Sequence, residues 1–177
     1  MKNSVLTLMF LVCFSCSKIE PRKPINPKPS TTLYKETIRE SIALNKVEDD
    51  KILESIQKDS SNVYLQSSNG FWYRYLTKVA EKSATPTKGN EVTIAYNITD
   101  LKDSVLYSKT DLGIKKYSID KEDFISGLQK GIKLMKIGET ITFVIPSYGA
   151  FGIAGDGNKI GVNQSIKSTV TLININK

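Results

Sequence analysis

One short helix candidate set among runs of alternating residues does most to limit how this chain can fold. Val92-Thr-Ile-Ala-Tyr96 places positions 92, 94 and 96 on one face, and Ile141-Thr-Phe-Val-Ile145 repeats the pattern. Such period-two alternation is the mark of a half-buried strand. Ile166 to Leu172 offers a further strand toward the C-terminus. Phe71-Trp-Tyr-Arg-Tyr-Leu76 offers an aromatic one directly after the turn signal Asn69-Gly70. There Phe71, Tyr73 and Tyr75 share one face, and Trp72, Arg74 and Leu76 the other. Between Phe124 and Met135 the period changes, and Leu128, Ile132 and Met135 recur at helical spacing. Gly127 and Gly131 interrupt that helix, and each costs about 1 kcal/mol relative to alanine. They are therefore expected to serve packing or turns. Antiparallel strands with one short helix on one face of the sheet make an α+β layout.

Upstream the character of the chain changes. Leu33 to Lys58 has neither proline nor glycine and is densely charged, with Ile38 and Ile42 four apart, as are Ile52 and Ile56 beside Leu53. This predicts a helix with a narrow apolar face, stopped by Asp59-Ser-Ser-Asn62, whose side chains compete for backbone hydrogen bonds. Such an arm either packs lightly on the body or meets a partner, and packing is the expectation. Before it, Pro21, Pro24, Pro27 and Pro29 fall within Ser17 to Ser30. Prolines so dense favour an extended tether of about 3.1 Å per residue, a spacer rather than a ligand for a proline-binding partner.

The first residues read as an address. After Met1-Lys2, the run Val5 to Phe14 is almost wholly apolar. It is too short for a spanning helix of about 20 residues and fits a signal-peptide core. Ser15 then stands directly before Cys16, which resembles a bacterial lipobox; Cys13 fits less well because the branched Val12 precedes it. The expectation is an exported, membrane-anchored lipoprotein facing the periplasm, lipidated at Cys16. The expected organisation is a signal peptide over 1–15, a tether over 16–32, a helical arm over 33–62 and a body over 63–177, with its densest motifs in 89–177.

Composition narrows the chemistry. The chain has no histidine, which removes histidine triads, most zinc sites and the common neutral-pH base. Both cysteines precede the body, so the body has neither a disulfide nor a thiol nucleophile. No cofactor and no metal are expected. The formal charge is +7, but lysines such as Lys115, Lys116, Lys130, Lys133 and Lys136 are scattered, with little aromatic interleaving. They form a solvated basic surface, and no nucleic-acid partner is expected. Asn97-Ile-Thr99 and Asn163-Gln-Ser165 are read as chance matches to a glycosylation pattern.

The order of motifs resembles the FKBP-type peptidyl-prolyl isomerases. Thr87-Lys-Gly-Asn-Glu-Val-Thr-Ile-Ala-Tyr96 is similar to the family's loop-Gly-strand segment ending in a pocket tyrosine. Phe124-Ile-Ser-Gly-Leu-Gln-Lys-Gly-Ile-Lys-Leu-Met-Lys-Ile-Gly-Glu139 is similar to its signature helix, Ile145-Pro-Ser-Tyr-Gly-Ala-Phe-Gly152 to its Ile-Pro-x-x-x-Ala-Tyr-Gly, and Ile160-Gly-Val-Asn-Gln-Ser-Ile166 to its Ile-Pro-Pro-Asn-x-x-Leu. Further upstream, the arm, Lys58-Asp-Ser-Ser61 and Asn69-Gly-Phe-Trp-Tyr73 resemble the gliding-motility-associated FKBP-type lipoproteins (GldI-like). The resemblance implies an FKBP-like antiparallel sheet curved around one short helix, with an N-terminal helical arm. It implies proline-containing polypeptides as substrates, membrane attachment through the lipid anchor, and a gliding or secretion apparatus as the setting for a folding helper of exported proteins.

Carried over by position, the resemblance puts Tyr96, Phe124, Ile125 and Phe151 in the catalytic pocket, with the Ile125 N–H as a donor to substrate. Leu106, Tyr107, Leu128, Ile160 and Ser168 follow as further pocket positions. Several depart from the family pattern: Leu128 replaces a floor tryptophan, Phe151 a tyrosine, Leu106-Tyr107 a Phe-Asp pair, and Ser168 an aromatic. Loss of the tyrosine hydroxyl alone implies about 0.5–1.5 kcal/mol less binding. Weaker catalysis, altered substrate choice, a non-catalytic binding module and a structural lipoprotein related only by ancestry all stay open.

Overall fold

The computed structural model describes residues 31–60, 62–80 and 83–176. The signal run, Cys16 and the proline-rich stretch lie outside these residues. The chain divides into two compact units, Met1–Thr37 and Ile38–Lys177. In the first, the described residues are the opening turns of helix α1 (Thr31–Lys58), where the Thr37 hydroxyl donates to the Leu33 carbonyl at 3.0 Å. The helix therefore starts earlier than the expected Leu33. Its Lys58 terminus agrees with the stop signal, and the Asn62 amide donates to the Asp59 carboxylate at 2.6 Å just beyond it. Among the described residues, no helix is long and apolar enough to cross a membrane.

The second unit is built on an antiparallel sheet of β1 (Leu65–Gln66), β2 (Trp72–Thr77), β3 (Glu91–Tyr96), β4 (Ile98–Thr99), β5 (Val105–Tyr107), β6 (Ile114–Ser118), β7 (Thr140–Ile145) and β8 (Ile166–Asn176). The strand order is β1-β2-β7-β8-β3-β6, with β4 joining both β8 and β5. Tyr73 pairs with Phe143, Phe143 with Ser168, and Ile94 with Leu172. Alternation sends Phe71, Ile94, Ile141, Phe143 and Val170 into one core, with Tyr73 and Tyr75 packed at its edge. On the other face, Trp72 and Val144 pack against Ile52 of α1, with Ile56 and Tyr64 beside them. The two-sided pattern of the aromatic strand thus serves two cores, and the arm covers the second through Ile52 and Ile56.

Two short helices complete the unit, α2 (Lys109–Leu112) and α3 (Ser126–Ile132). Residues of α2 carry no helical pattern in the sequence; Ser108 and Asp111 start it by a reciprocal capping box. Helix α3 is shorter than the expected Phe124–Met135. Phe124 and Ile125 precede it, with Ile125 as the non-helical N-cap, and Met135 lies in the turn after it, its N–H donating to the Ile132 carbonyl. Leu128, Ile132 and Met135 are nevertheless all fully buried. The glycines explain how α3 comes so close to β7. A Cβ at 127 would stand 2.5 Å from an Ile145 methyl, and one at 131 the same distance from the Phe143 ring. Behind α3, the buried Glu139 carboxylate accepts the N–H groups of Lys136 and Val79, which closes the turn into β7.

Candidate active site

At the N-terminal end of α3 the chain surrounds a cavity of about 470 Å³. Five of the residues expected in a pocket line it: Tyr96, Tyr107, Phe124, Ile125 and Phe151. Tyr96 comes from the end of β3 and is 7% exposed. Its ring meets Phe124 edge-on, centroids 5.5 Å apart, and Phe124 lies over Tyr117 at 4.9 Å. Burial pushes the Tyr96 and Tyr117 phenols up from their ordinary value. Among the described residues the Tyr117 hydroxyl finds no partner.

The segment before α3 is held by Gln129, whose side-chain amide donates to the carbonyls of Glu122 and Phe124. This fixes Phe124 and Ile125 outside the helix, and the Ile125 carbonyl accepts the Gln129 N–H at 2.9 Å. Among the described residues, the Ile125 N–H itself donates to no acceptor. A helix start leaves such donors unspent, and this one belongs to a residue of the cavity wall.

The remaining expected positions fall elsewhere. Leu128 and Ile160 are buried in the core beneath the wall, and Leu106 packs against that core half-buried. Ser168 is fully buried, its hydroxyl donating to the Asn97 carbonyl at 2.7 Å. Conversely, Ile98, Leu112, Lys115, Asp123, Ala150 and Asp156 line the cavity without having been anticipated. Nothing in the local pattern of Ile114–Ser118 marks Lys115, whose ammonium lies 5.2 Å from the Phe124 ring centroid.

Asp156 alters the chemistry expected of the wall. The Tyr107 hydroxyl donates to its Oδ2 at 2.5 Å, while the N–H groups of Asn158 and Ile160 donate to Oδ1. Replacing a family aspartate by Tyr107 therefore does not leave the wall without a carboxylate; one arrives from the 152–161 loop. Burial pushes the Asp156 carboxyl up, but the hydrogen bonds from Tyr107, Ile160 and Asn158 outweigh it and leave it below its ordinary value. The bond to Asp156, together with burial, holds the Tyr107 phenol above its own. The Asn158 amide adds a bond to the Tyr107 oxygen, and the Lys159 ammonium sits 4.8 Å from the ring centroid.

A larger cleft, about 1010 Å³, lies on the opposite face of the sheet between α1 and residues such as Arg74, Thr142, Lys167 and Thr169. Its charges are largely spent on one another: Lys58 on Glu54, Arg74 on Asp59 and Lys167 on Asp103. The smaller cavity, apolar with one unspent donor, is the better candidate site. No group of three or more histidine, cysteine, aspartate or glutamate residues is placed to hold a metal ion among the described residues.

An antiparallel sheet packed on a short helix, with an apolar cavity at the helix start and an unspent backbone donor in its wall, is the architecture that the chain presents. Residues 82–173 match the family model for FKBP-type peptidyl-prolyl cis-trans isomerase, and the chain belongs to that family. It is 31% identical over 109 residues to a probable FKBP-type peptidyl-prolyl cis-trans isomerase, FkpA, of Neisseria meningitidis serogroup B, across 62% of this chain and 39% of that one. It is 28% identical over 133 residues to the outer membrane protein MIP of Legionella longbeachae, across 75% and 55%. The chain thus spans less than two thirds of either relative. In fold it is similar to a peptidyl-prolyl cis-trans isomerase of Pseudomonas syringae pv. tomato (TM-score 0.63, 20% identity, 77% of this chain and 96% of that one). It is also similar in fold to FkpA of Escherichia coli (TM-score 0.58, 21% identity, 99% and 82%).

Proposed function

We propose that this chain is a peptidyl-prolyl cis-trans isomerase acting on proline-containing polypeptides. The observation that carries the proposal is the aromatic and apolar cavity, with the Ile125 N–H unspent in its wall. An X-Pro bond turns over a barrier of about 18–20 kcal/mol because the planar amide loses resonance when twisted. No bond to carbon breaks, so a site accelerates the turn by holding the twisted form better than the planar one. The planar amide is the more charge-separated form, and an apolar cavity walled by Tyr96, Phe124 and Phe151 disfavours it. The Ile125 N–H holds a neighbouring substrate carbonyl in place. Phe151 has no hydroxyl to add, and the Tyr107 hydroxyl is committed to Asp156. Fewer donors than the family pattern implies make reduced efficiency the expected behaviour.

The test is acceleration of prolyl-peptide isomerisation by residues 17–177, with Phe124→Ala as control. Rates no higher than those of the control would sink catalysis and leave a non-catalytic binding module, the reading that the committed Tyr107 hydroxyl favours.

We further propose that Cys16 carries a lipid anchor and that the protein helps exported polypeptides fold at the membrane, in a gliding or secretion apparatus. The apolar run Val5 to Phe14 ahead of Ser15-Cys16 supports this, as does similarity to a relative named as an outer membrane protein. Cells fed labelled palmitate should incorporate it into the wild-type chain and not into Cys16→Ser; equal label in both would refute the anchor.

A further inference from the structure

Helix α1 precedes the family-matched residues 82–173, yet one of its side chains reaches the loops that wall the cavity. Glu48 is only 7% exposed. Its Oε2 accepts the Ser147 N–H at 2.8 Å, and its Oε1 accepts the Ser147 hydroxyl at 2.5 Å. Oε2 also accepts the Ser165 hydroxyl at 3.3 Å. Ser147 opens the 3₁₀ turn Ser147–Gly149 that follows β7, and Ser165 immediately precedes β8. One carboxylate therefore ties together both ends of the segment 147–165. That segment supplies Ala150, Phe151 and Asp156 to the cavity.

The tie is carried inward by backbone bonds. The Gly152 N–H donates to the Ser147 carbonyl at 2.8 Å, and the Asn163 N–H to the Gly152 carbonyl at 2.9 Å. Phe151 sits inside this ladder, one residue from Gly152. A buried carboxylate requires its donors and a buried N–H its acceptor, so neither partner gives the arrangement up cheaply. Charge-assisted bonds of this kind are also the stronger and more directional ones.

We propose that Glu48 is a positioning residue for the prolyl site, clasping the 147–165 segment so that Phe151 stands in the cavity wall. The arm is then part of the working unit and does more than pack lightly on the body. The proposal rests on the isomerase reading for its catalytic half and on the loop geometry for the rest.

The experiment compares the full chain, purified in detergent, with Glu48→Gln, Ser165→Ala and Ile52→Val. Prolyl-peptide kinetics, amide hydrogen exchange over 147–165 and thermal unfolding are read on each. Glu48→Gln keeps the side-chain volume but turns one acceptor oxygen into a donor, so kcat/KM falls about tenfold and exchange over 147–165 speeds by a similar factor. The loss falls mainly on KM, because a displaced wall weakens planar and twisted substrate alike. Ser165→Ala moves both readouts in the same direction by a smaller factor. Ile52→Val trims the arm's packing without touching the carboxylate; it lowers the melting temperature and leaves kcat/KM unchanged. Glu48→Gln with kcat/KM within about twofold of wild type and unaltered exchange overturns the proposal. A wild-type chain without activity overturns the isomerase reading instead, and the exchange data then decide the clasp alone.

Discussion

Replacing Gly131 by alanine sets helix propensity directly against packing. In an isolated helix the change is favourable by about 1 kcal/mol. In this protein a Cβ at 131 would lie 2.5 Å from Cε1 of Phe143 and 2.9 Å from its Cδ1 and Cζ. Carbon atoms rest at about 3.5–4.0 Å from one another, so the helix or the ring must yield by about 1 Å. The ring has little freedom to do so. Phe143 is fully buried and meets Phe71 edge-on at 5.7 Å between centroids, with Tyr73 at 6.5 Å. Overpacking costs about 1–3 kcal/mol, and so close a contact belongs at the upper end. Subtracting the propensity gain leaves a net destabilisation of about 2 kcal/mol. For a domain of this size that lowers the melting temperature by about 4–8 °C. Thermal unfolding followed by near-ultraviolet circular dichroism measures it. Adding Phe143→Leu makes room, so the double variant should lose less than the two single losses together, with a coupling of about 1 kcal/mol. A Gly131→Ala chain as stable as wild type would refute the claim that the glycine exists for close approach.

Other outcomes follow from the cavity loop. Gly155 has φ +65°, and a Cβ there would collide with the Ile160 carbonyl oxygen; Gly155→Ala should lower kcat/KM about tenfold with little change in melting temperature, since only a local loop is strained. Tyr107→Phe removes the bond to Asp156 and should speed amide exchange over 155–160 about fivefold, measured by mass spectrometry. Burial pushes the Asp156 carboxyl up, but its hydrogen bonds outweigh this and depress it, while the Tyr96 and Tyr107 phenols are raised. A depressed carboxyl stabilises fully above its unfolded value of about 3.9 and loses that contribution as pH falls through the folded value. Stopped-flow kcat/KM should therefore stay flat from about pH 5 to 9, with the loop loosening only below about pH 4; an inflection near neutrality would contradict the assignment.

Much of the fold was legible in local pattern. Alternation in Val92–Tyr96 and Ile141–Ile145 matched β3 and β7, and the two faces of Phe71–Leu76 proved to serve two cores. The helix between Phe124 and Met135 was visible in kind but not in extent. Its apolar spacing continues past both ends, whereas Gln129 binds the Phe124 carbonyl and keeps that residue outside the helix. Strand β5 and helix α2 escaped notice because each is too short to show a period. Strand β6 did so because Lys115 and Lys116 blur its alternation.

The sequence by itself determined that a sheet packs on a short helix interrupted by two glycines, and that the chain offers no histidine and the body no thiol. Those properties follow from spacing and composition, which any stretch of chain carries with it. Only the tertiary structure decided that Asp156 meets Tyr107, that Lys115 faces Phe124, and that Glu48 reaches Ser147 and Ser165. Each is a polar or charged side chain that looks solvent-bound in its own segment. Its role comes from a partner outside its own segment, 99 residues away for Glu48 and Ser147, and only the folded chain brings such partners into contact.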